Sequence, residues 1–139
     1  MTLVVDASMV VVALIDSGPT GEWADSLLAS NRLAAPGLML CEAANILRRA
    51  ALEEVTNDTS ALAHADLLDL RVALHPYRPF AERAWSLREH VTAYDAWYVA
   101  LAETLDAPLA TLDVRLSRAP GPACEFLVPP SQAPANVTG

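Results

Sequence analysis

At 139 residues, with 53% hydrophobic and 19% charged side chains, the chain is long enough to build one globular domain and too apolar to be disordered. Its formal net charge is −8 and every basic residue is Arg, which argues against a passive polyanion binder but leaves room for an enzyme whose acids hold cations. No apolar run approaches the roughly eighteen residues of a membrane span, and Asp6 interrupts the only stretch a signal peptide could use, so a cytoplasmic protein with no membrane partner is expected. Cys41 and Cys124, far apart in the chain, are expected as free, buried thiols.

The first element is Leu3-Val4-Val5, running into Asp6 and the small pair Ala7-Ser8. A short, wholly apolar run is the pattern of a strand buried on both faces, and Asp6 then stands at its carboxyl end. Residues 8–14 read as a short helix, stopped at Asp16-Ser17-Gly18-Pro19, and a second helix runs from Thr20 or Gly21 to about Ser30 with Trp23, Leu27 and Leu28 inward. Arg32–Ala35 is a second strand, ended by Pro36-Gly37. The longest helical stretch is Leu38–Glu54, where Met39, Ala43, Ile46, Leu47 and Ala50 form an apolar stripe.

A further helix spans Thr59–Leu70, followed by a strand at Val72–His75 and a helix at Arg78–Leu87 with Phe80, Ala84 and Leu87 inward. Thr92 opens a helix to Leu105; Asp106-Ala107-Pro108 then turns the chain into a fourth strand, Leu109–Leu112, closed at once by Asp113. A helical turn reaches Leu116, and Glu125–Val128 is a last edge strand. Strands alternating with helices predict an α/β fold, a single three-layer domain with a mainly parallel central sheet of four to five strands and helices on both faces. Residues 1–128 form that domain; 129–139, made of Pro, Ser, Ala and Asn, are expected to be a disordered tail.

Four acids stand in apolar surroundings: Asp6 and Asp113 at strand ends, Glu42 inside the apolar part of the long helix, and Asp95 at the start of the Thr92 helix. Each has a plain structural explanation. Asp6 and Asp113 could cap helices, Thr92 and Asp95 are spaced as a capping box, and Glu42 could pair with Arg49 two turns on. Together these explanations weaken, because the βα alternation returns all four acids to one edge of a parallel sheet. Four bare carboxylates there would repel, and a hard divalent cation, Mg2+ or Mn2+, relieves the repulsion and serves phosphoryl-transfer chemistry.

The stretch Leu3-Val4-Val5-Asp6-Ala7-Ser8, the mid-helix Glu42 with Asn45, the run Tyr94-Asp95-Ala96-Trp97-Tyr98-Val99-Ala100-Leu101-Ala102, and Thr111-Leu112-Asp113 resemble the acidic motifs of PIN-domain ribonucleases, and among them the VapC-type toxins of toxin–antitoxin pairs. The resemblance covers about residues 3–128. It implies a PIN-like fold and endonucleolytic cleavage of RNA with Mg2+ or Mn2+. It places the catalytic and metal-holding site at Asp6, Glu42, Asp95 and Asp113, with Ser8, Asn45 and Thr111 in support. It also implies a homodimer and a cognate antitoxin that silences the enzyme and so relieves inhibition of growth.

In the expected mechanism Asp6, Asp95 and Asp113 hold the metal directly or through water, while Glu42 ligates it or orients the attacking water, so no histidine base is needed. His64, His75 and His90 are scattered and expected at the surface or satisfied in the core. Arg49, on the face of Glu42, and Arg115 and Arg118, shortly after Asp113, are the candidate phosphate contacts, each of which could equally be a solvated surface arginine. Trp23, Trp85 and Trp97 are expected as core or dimer anchors. A phospho-accepting receiver domain would need a lysine near its acids, and a haloacid-dehalogenase-type phosphatase an Asp where Ser8 stands. The alternative that survives is a catalytically silent PIN-like module that binds metal or RNA without turnover.

Overall fold

In the computed structural model, residues 1–53 and 55–130 are described; Glu54, the expected end of the long helix, and residues 131–139 of the expected tail lie outside them. The chain alternates as predicted. Strand β1 (Thr2–Val5) is followed by helices α1 (Ala7–Ile15) and α2 (Pro19–Ser30), and β2 (Arg32–Pro36) by α3 (Met39–Glu53) and α4 (Asn57–Asp69). Then come β3 (Val72–His75), α5 (Ala81–Ser86), α6 (Ala93–Leu105), β4 (Leu109–Ala110), α7 (Val114–Ser117) and β5 (Phe126–Leu127).

The five strands form one sheet in the order β3-β2-β1-β4-β5, and every neighbouring pair is parallel. From β1 the chain moves outward through β2 to β3, then crosses back to β4 on the other side. Right-handed crossovers therefore place the β1–β3 helices and the β3–β4 helices on opposite faces. Helix α6 lies across β1, β2 and β4, while α1 packs with α2, α3 and α4. The reversal falls between β1 and β4, and a parallel sheet opens a crevice at such a point, beyond the carboxyl ends of its strands.

The core is aliphatic. Leu3, Val4 and Val5 of β1 are almost wholly buried, as are Met9, Met39, Leu67, Leu101 and Leu109. Burying a side chain of this kind contributes roughly 1.5–3 kcal/mol, which is why so short a strand as β1 can anchor the sheet. The expected inward faces hold: Met39, Ala43 and Leu47 of α3 are buried, as are Phe80, Ala84 and Leu87. At Asp16 the α1–α2 turn closes on itself, its two carboxylate oxygens accepting from Gly18 N at 3.1 Å and Gly21 N at 2.8 Å. A Cβ at Gly21 would lie 1.9 Å from the Asp16 carbonyl oxygen, so only glycine fits that approach.

Several expectations change. The single helix expected over Arg78–Leu87 begins as a 3-10 turn at Arg78–Phe80, with Pro79 inside it, and only then becomes α5. Strand β4 ends at Ala110 instead of Leu112; the Thr111 amide still donates to the Leu127 carbonyl at 3.0 Å, while its hydroxyl bonds to Asp6. Both cysteines are free, but Cys41 is exposed on the outer side of α3, opposite the Met39–Ala43–Leu47 stripe, and Cys124 is half-buried. Trp85 is also exposed, under the guanidinium of Arg88 at 4.9 Å, while Trp23 and Trp97 are half-buried against the core.

Away from the carboxyl edge, Arg83 and Glu103 join α5 to α6. Arg83 Nε donates to Glu103 Oε1 at 2.7 Å and Nη2 to Oε2 at 3.0 Å. The same pair holds the irregular segment between α7 and β5: Arg83 Nη2 donates to the Gly121 carbonyl at 2.9 Å, and Ala123 N donates to Glu103 Oε2 at 2.7 Å. It is the one ion pair among the described residues.

Candidate active site

Asp6, Glu42, Asp95 and Asp113, carried by four separate elements, line a single cleft of about 290 Å³ at the carboxyl edge of the sheet. Ser8, Asn45, Arg49 and Tyr98 line it with them. The expected convergence holds for all four acids and for Arg49, while Thr111 sits just beneath, fully buried. Arg115 lines an adjoining groove, and Arg118 lines neither.

Asp6 leaves β1 in extended conformation and caps α1, its Oδ1 accepting from Met9 N at 3.0 Å and from Ser8 Oγ at 2.7 Å. Its Oδ2 accepts from the Thr111 hydroxyl. Thr111 Oγ1 in turn accepts from Asp113 N at 3.0 Å, so one buried side chain aligns the ends of β1 and β4. Asp113 caps α7 through Oδ1, which accepts from Leu116 N at 3.1 Å. The capping roles are real for both aspartates. They occupy one oxygen of Asp113 and leave Oδ2 uncommitted among the described residues.

Asp95 makes only half of the expected capping box. Thr92 Oγ1 accepts from Asp95 N at 3.2 Å, but no reciprocal bond forms from Thr92 N to the Asp95 carboxylate among the described residues. Glu42 forms no pair with Arg49. Its Oε1 accepts from the phenol of Tyr98 at 2.7 Å, a bond that joins α3 to α6. Tyr98 is the one site residue that sequence reasoning passed over. Its signal was present, since it lies three residues after Asp95 and hence on the same helical face.

Electrostatics record the crowding. Burial lifts the Asp6 carboxyl above the ordinary carboxylate range, opposed by its bonds from Thr111, Met9 and Ser8, with a smaller upward push from the charge of Asp113. Burial also lifts Asp95, and the charges of Asp113, Asp6 and Glu42 add to it. The Tyr98 phenol is held far above its usual range, first by burial and then by donating to Glu42. None of the four acids is in an ion pair among the described residues.

The oxygen-only donor set is that of a hard cation such as Mg2+, not of a soft one. Among the described residues, no three His, Cys, Asp or Glu side chains are drawn into a ready-made metal cluster. Both Asp6 oxygens accept hydrogen bonds within the protein. The set fits an ion that keeps several of its waters and takes only one or two carboxylates directly, as Mg2+ does.

A PIN-domain family model matches residues 3–122, and the chain belongs to that family. Over 125 residues it is 43% identical to the ribonuclease VapC1 of Mycobacterium tuberculosis, a match covering 88% of this chain and 94% of that relative, so within the family it stands with the VapC ribonucleases. Two solved structures share the fold. One is VapBC2 from Rickettsia felis bound to a promoter DNA fragment, with a TM-score of 0.63 at 14% identity over 92% of this chain and 98% of that one. The other is VapC20 of Mycobacterium tuberculosis, described as a sarcin–ricin loop cleaving toxin, with a TM-score of 0.63 at 18% identity over 83% and 92%. No helix among the described residues is long and apolar enough to cross a membrane.

Proposed function

We propose that the protein is an endoribonuclease of the toxin type that hydrolyses RNA phosphodiester bonds in this cleft with a bound Mg2+ or Mn2+ ion. The observation that carries the proposal is the meeting of four carboxylates from four elements, with none neutralised by an ion pair among the described residues. Asp6, Asp95 and Asp113, with Glu42, would hold the ion, directly or through its waters. When bound, such an ion lowers the pKa of a coordinated water and stabilises charge on the phosphate oxygens.

The chain's own residues supply the rest. Tyr98 fixes Glu42 through Oε1, leaving Oε2 to accept a proton from the attacking water. Thr111 and Ser8 keep the Asp6 carboxylate from turning, and Thr111 keeps the Asp113 backbone in register with it. Arg49 is the cation of the cleft, placed to take the oxygens of the scissile phosphate, and Asn45 adds a neutral donor. The partners that go with this function are a cognate antitoxin, supported by the likeness to a VapBC assembly, and a second copy of the chain, which only the family resemblance implies.

The deciding experiment compares wild type with Asp6→Asn on total RNA, with Mg2+ and with EDTA. New RNA ends are expected only for wild type in Mg2+. Cutting that persists in both the variant and the chelator overturns the metal mechanism. Metal binding without any cutting would favour the silent module.

A further inference from the structure

A second groove opens beside the acidic cleft and shares a wall with it. Its lining runs from His90 and Thr92, ahead of α6, to Arg115, Ala119 and Pro120 on and after α7; the shared wall is Asp95 and Asp113. Its volume is about 450 Å³, larger than the cleft itself and within the range that holds a nucleotide-sized ligand. Two chemistries meet in it. Val91, Leu116, Ala119 and Pro120 give the lining its hydrocarbon. Arg115 supplies a guanidinium that is in no ion pair among the described residues.

We propose that this groove is the subsite for the nucleotide adjoining the scissile phosphate, with its base against Ala119 and Pro120 and its outer phosphate on Arg115. The inference rests on the cleft being the RNA-cleaving site. A bare phosphate would leave the hydrocarbon unused, and an apolar ligand would leave Arg115 without a partner. A nucleotide uses both. The acids of the shared wall repel phosphate, so the outer phosphate belongs on the Arg115 side, away from them. A base lying in the groove is unstacked from its neighbour on the strand, and apolar contact with the hydrocarbon side chains offsets part of that loss.

Binding tests this independently of cleavage. The probe is a fluorescein-labelled, mixed-sequence 2′-O-methyl oligonucleotide with phosphorothioate linkages, which resists both water and 2′-hydroxyl nucleophiles; its affinity is followed across a salt series in Mg2+. Arg115→Ala is expected to flatten the plot of log affinity against log salt by about 0.7, the value of one single-strand phosphate contact. Ala119→Trp, which fills the groove, is expected to weaken binding about tenfold without changing that slope. Arg118→Ala, outside both cavities, is the control. An unchanged slope in Arg115→Ala, or an equal change in Arg118→Ala, overturns the subsite, and Arg115 is exposed, so its variant folds whether or not Ala119→Trp does. Loss of the nuclease reading shows separately, as wild type that binds with these differences but cuts no RNA. That outcome keeps the groove as a nucleotide-binding site and overturns its place beside a scissile phosphate.

Discussion

Thr111 and Asp6 lie 105 residues apart in the chain and meet through one hydrogen bond, the threonine hydroxyl donating to Asp6 Oδ2. Because Thr111 is wholly buried and also accepts from Asp113 N, a single hydroxyl sets the relation between two of the four acids. It adds to the backbone ladder, in which Asp6 N donates to the Ala110 carbonyl at 3.2 Å. The bond converts sheet topology into site geometry.

Thr111→Val keeps the shape and removes the hydroxyl, leaving a buried carboxylate oxygen and the Asp113 amide without their partner. The expected cost is about 1–3 kcal/mol in chemical denaturation, together with at least a tenfold loss of cleavage. Thr111→Ser keeps both bonds and is expected to restore most of each. A valine variant as active as wild type would show that the spacing is held by something else.

Tyr98→Phe removes only the phenol oxygen that fixes Glu42. A bond to a charged acceptor contributes roughly 1.5–3 kcal/mol, so the variant is expected to unfold at lower denaturant while keeping its circular dichroism. If Glu42 positions the attacking water, kcat falls and KM stays. A change confined to KM would place Glu42 in substrate binding instead.

Asp6→Ala and Asp6→Asn are expected to be equally inactive and unequally stable. Asparagine keeps an oxygen acceptor for Met9 N and so preserves the cap of α1, whereas alanine abolishes it at a cost of about 1 kcal/mol. Thermal unfolding separates them, the alanine variant melting roughly 3–5 °C lower. Equal melting temperatures would mean that the cap contributes nothing measurable.

In the metal-free protein the Asp6 and Asp95 carboxylates are expected to cost stability as pH rises. The folded-state pKa values of Asp6 and Asp95 are raised above the ordinary 3.8, so in the window above that value the folded state binds more protons than the unfolded one. Their contribution to stability then falls with increasing pH through that window and stays reduced above it. Asp95→Asn carries no such charge and is expected to gain on wild type between about pH 4 and pH 7. Melting curves in EDTA across that range test it, and a difference that shrinks with pH would reverse the sign argued here.

Cys41 is expected to take a maleimide at neutral pH well before Cys124. Cys41 is exposed, while burial and the charge of Glu103 push the Cys124 thiol up to about 11, and only the thiolate reacts. Peptide mapping after brief labelling distinguishes the two.

Most of the fold could be read from the chain because its strands are short apolar runs ended by an acid, a proline or a glycine, and its helices carry clear inner stripes. The acids could be read as a set for the same reason: Asp6 and Asp113 mark strand ends, and topology sends strand ends to one edge. Tertiary bonds were harder. The Tyr98–Glu42 bond spans 56 residues, and no local pattern announces it. The Thr111–Asp6 bond is likewise tertiary, since it depends on β1 and β4 lying side by side. Cys41 misled because cysteine is commonly buried, although the stripe of α3 already put position 41 on the outside.

The clasp that Arg83 and Glu103 make on the segment between α7 and β5 bears on amide exchange. That segment has neither a helix nor a strand of its own, yet Ala123 N–H is held at 2.7 Å by a carboxylate that is itself locked to a guanidinium. In deuterated solvent Ala123 should keep its proton far longer than the bare loop amides around it, and Arg83→Ala should erase that protection.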